Sequence, residues 1–142
     1  MAADRTASVT WQGDLASGSG VITNVSSGAI SNLDVSWPAR TEEHGGKTSP
    51  EELIAAAHAA CFSMGLSHGL SSAGTPPQQL DVSATCTFDP PKITKMHITV
   101  RGQVDGIDQS AFEQAAREAA DGCPVSGALK GNVDVTVEAE LQ

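Results

Sequence analysis

The chain is poor in aromatic rings, in cations and in cysteine, and each shortage excludes something. There are two tryptophans, three phenylalanines and no tyrosine, so small and branched aliphatic side chains must fill the core. Eight Lys and Arg stand against seventeen Asp and Glu, a formal net charge of −9. Affinity for a duplex comes mainly from cations that neutralise phosphates, so nucleic acid is not expected as a partner. An anionic membrane surface is disfavoured for the same reason. No uninterrupted apolar run reaches the ~18 residues of a membrane span, and the opening MAADRTASVTWQGD holds no apolar signal region. The expected location is the cytoplasm, where thiols stay reduced and cysteines tend to be catalytic, redox-active or metal-bound. Three cysteines allow one intramolecular pair and one spare. No CxxC pair and no zinc spacing is present, so no metal is expected. Nor is there a phosphate-binding or dinucleotide glycine motif, since the GSG at 18–20 belongs to a turn.

What is present reads as one domain over residues 1–142, with 39% hydrophobic and 18% charged residues. Strand-like pieces at 7–12 and 18–25 flank a polar, Gly-rich turn and predict an N-terminal hairpin over 7–25. A short extended piece follows at 32–37, then a loop at 38–49 with no apolar pattern, which carries Arg40 and His44. A long helix is expected over 50–70. Ser49 precedes Pro50 and Glu52 follows three residues after Ser49, a capping box with proline at the first helical position. That gives Glu52 a structural task and leaves Glu51 for another. The helix is apolar nearly all round, which predicts burial on most sides. Strands at 80–88 and 92–104 alternate, the first with Leu80, Val82, Ala84, Cys86 and Phe88 on one face, the second burying Met96, Ile98 and Val100. An amphipathic helix spans 108–122 and closes at Gly122, a further helical turn or two follows in CPVSGALKG, and a last strand spans 132–141. The C-terminal sheet and helices thus occupy 80–141. The order of elements predicts an α+β fold with antiparallel sheet.

The three thiols differ in setting. Cys86 falls on the apolar face of a strand and reads as packing. Cys123 immediately precedes Pro124, at the expected N-cap of a helix, where free amides and the helix dipole favour a thiolate. Cysteine is not a preferred cap, so packing and function both remain open there. Cys61 is mid-helix among Ala59, Ala60 and Phe62, where desolvation raises a thiol pKa unless a cation is near. His58, one turn away, is either that partner or a hydrogen-bonded core residue, and His68 is a weaker candidate. Arg40 is the better one, because an arginine stays charged when buried beside an acid, and Glu51 is the acid left over. A Cys–His hydrolase is disfavoured, since one packed helix cannot easily present both His58 and Cys61 to a substrate.

SPEELIAAAHAACFSMGLS followed by GCPVSGALKG resembles the OsmC branch of the OsmC/Ohr proteins, thiol-dependent hydroperoxide reductases. The likeness runs through WQGDLASGSG, PEEL, AACFSM, CPVS and the final strand, in the expected order. It implies that Cys61 is the peroxide-attacking thiol, Cys123 the resolving thiol, and Arg40 with Glu51 the activating pair. It also implies an intertwined homodimer with antiparallel sheets wrapped around long central helices. The reaction expected from it turns over organic hydroperoxides, and hydrogen peroxide more weakly, in oxidative and osmotic stress defence. No cofactor is implied, but an external thiol or dithiol reductant is, a lipoyl protein being one such partner. Glu51 and Cys61 are ten positions apart, roughly 15 Å along a straight helix at ~1.5 Å per residue. Sharing one site therefore favours Arg40 and Glu51 coming from the partner subunit. The competing expectations are a redox sensor or stress-binding protein that does not turn over, and a structural dimer whose cysteines only pack.

Overall fold

A computed structural model describes all residues, Met1–Gln142. The chain forms ten elements: β1 (Ala7–Gln12), β2 (Ser19–Val25), β3 (Ser31–Val35), α1 (Pro38–Thr41), α2 (Pro50–Ser72), β4 (Gln79–Asp89), β5 (Lys92–Gln103), α3 (Gln109–Gly122), α4 (Pro124–Leu129) and β6 (Asp134–Leu141). They divide into two compact units, Met1–Pro50 and Glu51–Gln142. The α+β class follows directly, with two three-stranded sheets and one long helix.

In the first unit β1, β2 and β3 form an antiparallel sheet in sequence order. Its hairpin turn is built by Asp14, whose carboxylate accepts from the Ser17 amide and hydroxyl, each at 2.7 Å. Those two bonds hold the Asp14 carboxyl below the ordinary value. Gly20 faces Trp11 across β1 and β2, and a Cβ there would meet the indole at 2.6 Å, so the ring needs that glycine. The expected loop at 38–49 contains α1, a single turn begun by Pro38. Its four residues are too few to show a helical period.

In the second unit β4 and β5 pair antiparallel, and β6 joins β5 in parallel. This corrects the expectation of antiparallel sheet throughout. The reason is the connection: parallel strands need a crossover of a dozen or more residues, and α3 with α4 provides it. Asp108 caps α3, its carboxylate accepting from the Ala111 amide at 2.8 Å. Gln109 then ties α3 to the end of β6, donating to the Ala139 carbonyl at 2.9 Å and accepting from the Leu141 amide at 2.7 Å. Gly122 is the last residue of α3, and Cys123 takes the C-cap position that the pattern assigned to glycine.

The core of this unit joins Phe62, Leu66 and Leu70 of α2, Met96, Ile98 and Val100 of β5, and Phe112, Ala116 and Ala120 of α3. Gly102 leaves room for the Phe112 ring. Burying a side chain such as Phe62 or Phe112 contributes about 1.5–3 kcal/mol. By length and composition α2 could cross a membrane. The count of uninterrupted apolar residues missed this, because His58, Ser63, Ser67 and His68 interrupt the run without lowering its average enough. Here, however, α2 packs one stripe, His58, Phe62, Leu66 and Leu70, into the core. Ala56, Ala57, Ala60 and Met64 stay exposed, Met64 at 71%. The expectation of burial on most sides is thus corrected for the single chain.

Candidate active site

Cys61 lies mid-way along α2, half-buried. Cys123 lies at the corner between α3 and α4, in extended backbone set by the Pro124 that begins α4. Its own amide donates to the Ala120 carbonyl at 3.4 Å, and its carbonyl accepts from the Gly127 amide at 3.0 Å. The corner is therefore held on both sides, and the thiol is only 3% exposed. Folding brings the two side chains, 62 positions apart in sequence, close enough for each to act on the other's ionisation. Both are reduced.

Their surroundings push them in opposite directions. Burial pushes the Cys61 thiol up, the Val125 amide works against this, and the side chain and charge of Cys123 push it up further. Burial also acts to raise Cys123, yet the Ser126 amide, the Cys61 side chain, the Val125 amide and the Ser126 hydroxyl together bring it below the ordinary thiol value. No close N–H···S bond closes the cap. The amides of Val125 and Ser126 still lie near enough to stabilise negative charge on sulfur. The groups of this unit therefore favour the thiol at Cys61 and the thiolate at Cys123.

His58 is fully buried one turn before Cys61. Its Nε2 lies 2.8 Å from Ser126 Oγ, while Nδ1 has no partner. Burial lowers its pKa, which favours the neutral ring. The core-residue reading of His58 is the one its hydrogen bond fits. Arg40 is in α1, in the other unit, with its guanidinium 5.4 Å from the centroid of the Trp37 ring. Glu51 is buried in the first turn of α2, 6% exposed. Its charge is felt at Cys86, whose thiol is pushed up first by burial and then by that carboxylate. Cys86 sits half-buried on β4 with the apolar residues that alternate with it, as its pattern predicts. His68 lines a groove of about 500 Å³ between α2 and α3, together with Gly65, Gly69, Ala115 and Ala119.

The family model of OsmC-like proteins matches residues 43–138, a stretch that holds both Cys61 and Cys123. The chain belongs to the OsmC-like family. It is 39% identical over 136 residues to Peroxiredoxin OsmC of Escherichia coli, covering 93% of this chain and 92% of that protein. It is 31% identical over 121 residues to the organic hydroperoxide resistance protein OhrA of Bacillus subtilis, covering 80% and 84%. Among solved structures it superposes on the organic hydroperoxide resistance protein OhrB of Bacillus subtilis with a TM-score of 0.69 at 27% identity, covering 95% and 98%.

In this OsmC-like chain the residue that sequence reasoning missed is Ser126. Its signal was in CPVS: if Cys123 is the N-cap, Ser126 is the third helical residue, where the amide answers a cap side chain. The hydroxyl contact to His58 spans 68 positions and has no local signature. The influence of the Glu51 charge on Cys86 is hidden for the same reason.

Proposed function

We propose that this protein is a thiol-dependent peroxidase that reduces organic hydroperoxides, and hydrogen peroxide more weakly, in the cytoplasm during oxidative or osmotic stress. The observation that carries the reading is the adjacency of the Cys61 and Cys123 side chains within one compact unit. Membership of a family whose relatives are named peroxiredoxin and organic hydroperoxide resistance protein supports it.

The cycle assigns each sulfur one task. The Cys61 thiolate attacks the O–O bond: an S–O bond forms, the O–O bond breaks, Cys61 becomes a sulfenic acid, and the alkoxide leaves and takes a proton to become the alcohol. Cys123, already biased to thiolate, displaces hydroxide from that sulfenic acid, which departs as water with one proton, and the Cys61–Cys123 disulfide forms. An external thiol or dithiol, a lipoyl protein among the partners of that class, returns both to the reduced state. No prosthetic group enters the cycle. Since the groups of its own unit push Cys61 toward the thiol, a cation must come to it for the attack. Arg40, oriented by Glu51, has that role, and both come from the partner subunit of a homodimer. The exposed apolar residues Ala56, Ala57, Ala60 and Met64 on α2 support a partner on that side. The guanidinium also stabilises the departing alkoxide.

Peroxide consumption with excess dithiol tests this. Many turnovers per subunit are expected, faster with cumene hydroperoxide than with hydrogen peroxide. A single turnover would leave a redox sensor or stress-binding protein as the better reading. An active monomer would remove the sharing of Arg40 and Glu51 across subunits.

A further inference from the structure

His58 is a buried polar group that the peroxide step does not use. It is 0% exposed, and an apolar side chain would fill the same space without the cost of desolvating an imidazole. Its Nε2 lies 2.8 Å from Ser126 Oγ, so a side-chain hydrogen bond joins α2 to α4 across 68 positions of sequence. Nδ1 has no partner. A proton on Nδ1, in the other tautomer or in an imidazolium, would bury an N–H with nothing to accept it. That is a rarer and costlier defect than a bare lone pair. The geometry therefore gives the bond a direction: His58 donates from Nε2 to the Ser126 oxygen.

The position of this bond is what links it to the chemistry. His58 precedes Cys61 by three residues on α2, and residues three apart share a helix face. Ser126 follows Cys123 by three, and Cys123 is the residue that begins α4. The bond is thus a rung between α2 and α4 placed one turn from each thiol. The mutual effect of the two thiols on their ionisation agrees with that neighbourhood. Packing holds α4 only lightly. The helix has six residues and buries none of them. Leu129 reaches the rim of the core, but from the end of α4 far from Cys123. The Gly127 amide donates to the Cys123 carbonyl at 3.0 Å, which shapes the turn without tying it to α2. So short a helix does not stabilise itself, and local opening is easiest where buried apolar contacts are few.

We propose that His58 and Ser126 are positioning residues whose hydrogen bond clamps the start of α4 to α2 and so holds Cys123 in place to meet Cys61. The consequence for turnover rests on the peroxidase reading above. A corner already in place has little freedom left to lose when the S–S bond forms, so the clamp raises the effective concentration of one thiol at the other.

The test equilibrates the Cys86→Ser protein with oxidised and reduced glutathione, quenches in acid and measures the fraction of Cys61–Cys123 disulfide. The reaction balances simply: two protein thiols become one disulfide, and one oxidised glutathione becomes two reduced. Its equilibrium constant is the effective concentration. Ser126→Ala should lower it by about two- to tenfold, the scale of one net hydrogen bond. Ser126→Thr, which keeps the hydroxyl, should restore most of it. His58→Met should lower it as Ser126→Ala does, and His58→Gln, which keeps an N–H donor, should lower it less. The two losses should not add, because they remove the same bond. A second arm measures hydrogen exchange in the reduced protein. The protection factor of the Gly127 amide should fall by a similar ratio in Ser126→Ala. A residue that only fills the core would lower the unfolding midpoint and leave both readings unchanged. Either reading unchanged in folded Ser126→Ala, or losses that add, would overturn the proposal. Should His58→Met not fold, Ser126→Ala against Ser126→Thr decides alone. No arm uses peroxide. A constant disulfide equilibrium in a protein that still consumes peroxide would refute the clamp and leave the peroxidase reading standing.

Discussion

Cys123 and Cys86 are both partly or wholly buried, in the same compact unit, and their polar neighbours treat them in opposite ways. At the α3–α4 corner burial raises the pKa, but the Ser126 amide, the Cys61 side chain, the Val125 amide and the Ser126 hydroxyl outweigh it and favour the thiolate. On β4, burial and the Glu51 carboxylate both favour the thiol. Depth alone therefore does not decide which sulfur reacts. What decides is whether donors or an anion stand beside it.

The largest expected effect comes from removing each sulfur in turn. Cys61→Ser should abolish dithiol-dependent peroxide consumption, and Cys123→Ser should arrest the protein after one oxidation. Cys86→Ser should leave the rate within about twofold, the surface-like effect expected of a group outside the chemistry. A large loss in Cys86→Ser would break the contrast between the two regions. Next in size is the core that holds them. Phe62→Ala should cost about 3–5 kcal/mol of stability in urea unfolding, from lost burial and a residual cavity.

Two pH effects sharpen the comparison. The Cys86 thiol has a raised folded-state pKa, so the stability linked to it is complete below the ordinary thiol value of 9.0 and is lost as pH rises through the folded value. Cys86→Ala should flatten that alkaline decline. His58 has a lowered folded-state pKa, so its linked stability is complete above 6.5 and is lost as pH falls toward the folded value. Unfolding between pH 6.5 and that lower value should steepen by at most about 1.4 kcal/mol per pH unit, and His58→Gln should remove the slope. The smallest effect belongs to the polar outer face of the second sheet. Arg101 and Glu140 are 3.8 Å apart with both side chains exposed, and Arg101→Ala should change stability by less than about 1 kcal/mol.

These contrasts were legible in the sequence to different degrees. The long helix from Pro50, the β4–β5 alternation and the cap position of Cys123 follow from local pattern, and the structure has all three. The direction of β6 does not, because an alternating strand reads the same either way. Only the length of the α3–α4 connection hinted at a parallel partner. The α1 turn around Arg40 is too short to carry a period. The Ser126–His58 contact, and the charge of Glu51 felt at Cys86, join residues that look unremarkable alone.

The most direct measurement of the central claim is peptide mapping by mass spectrometry after one equivalent of organic hydroperoxide. Cys61 joined to Cys123, with Cys86 still a free thiol, is the expected product. A bond that includes Cys86, or a Cys61 that stays a thiol while Cys123 is oxidised alone, would contradict it.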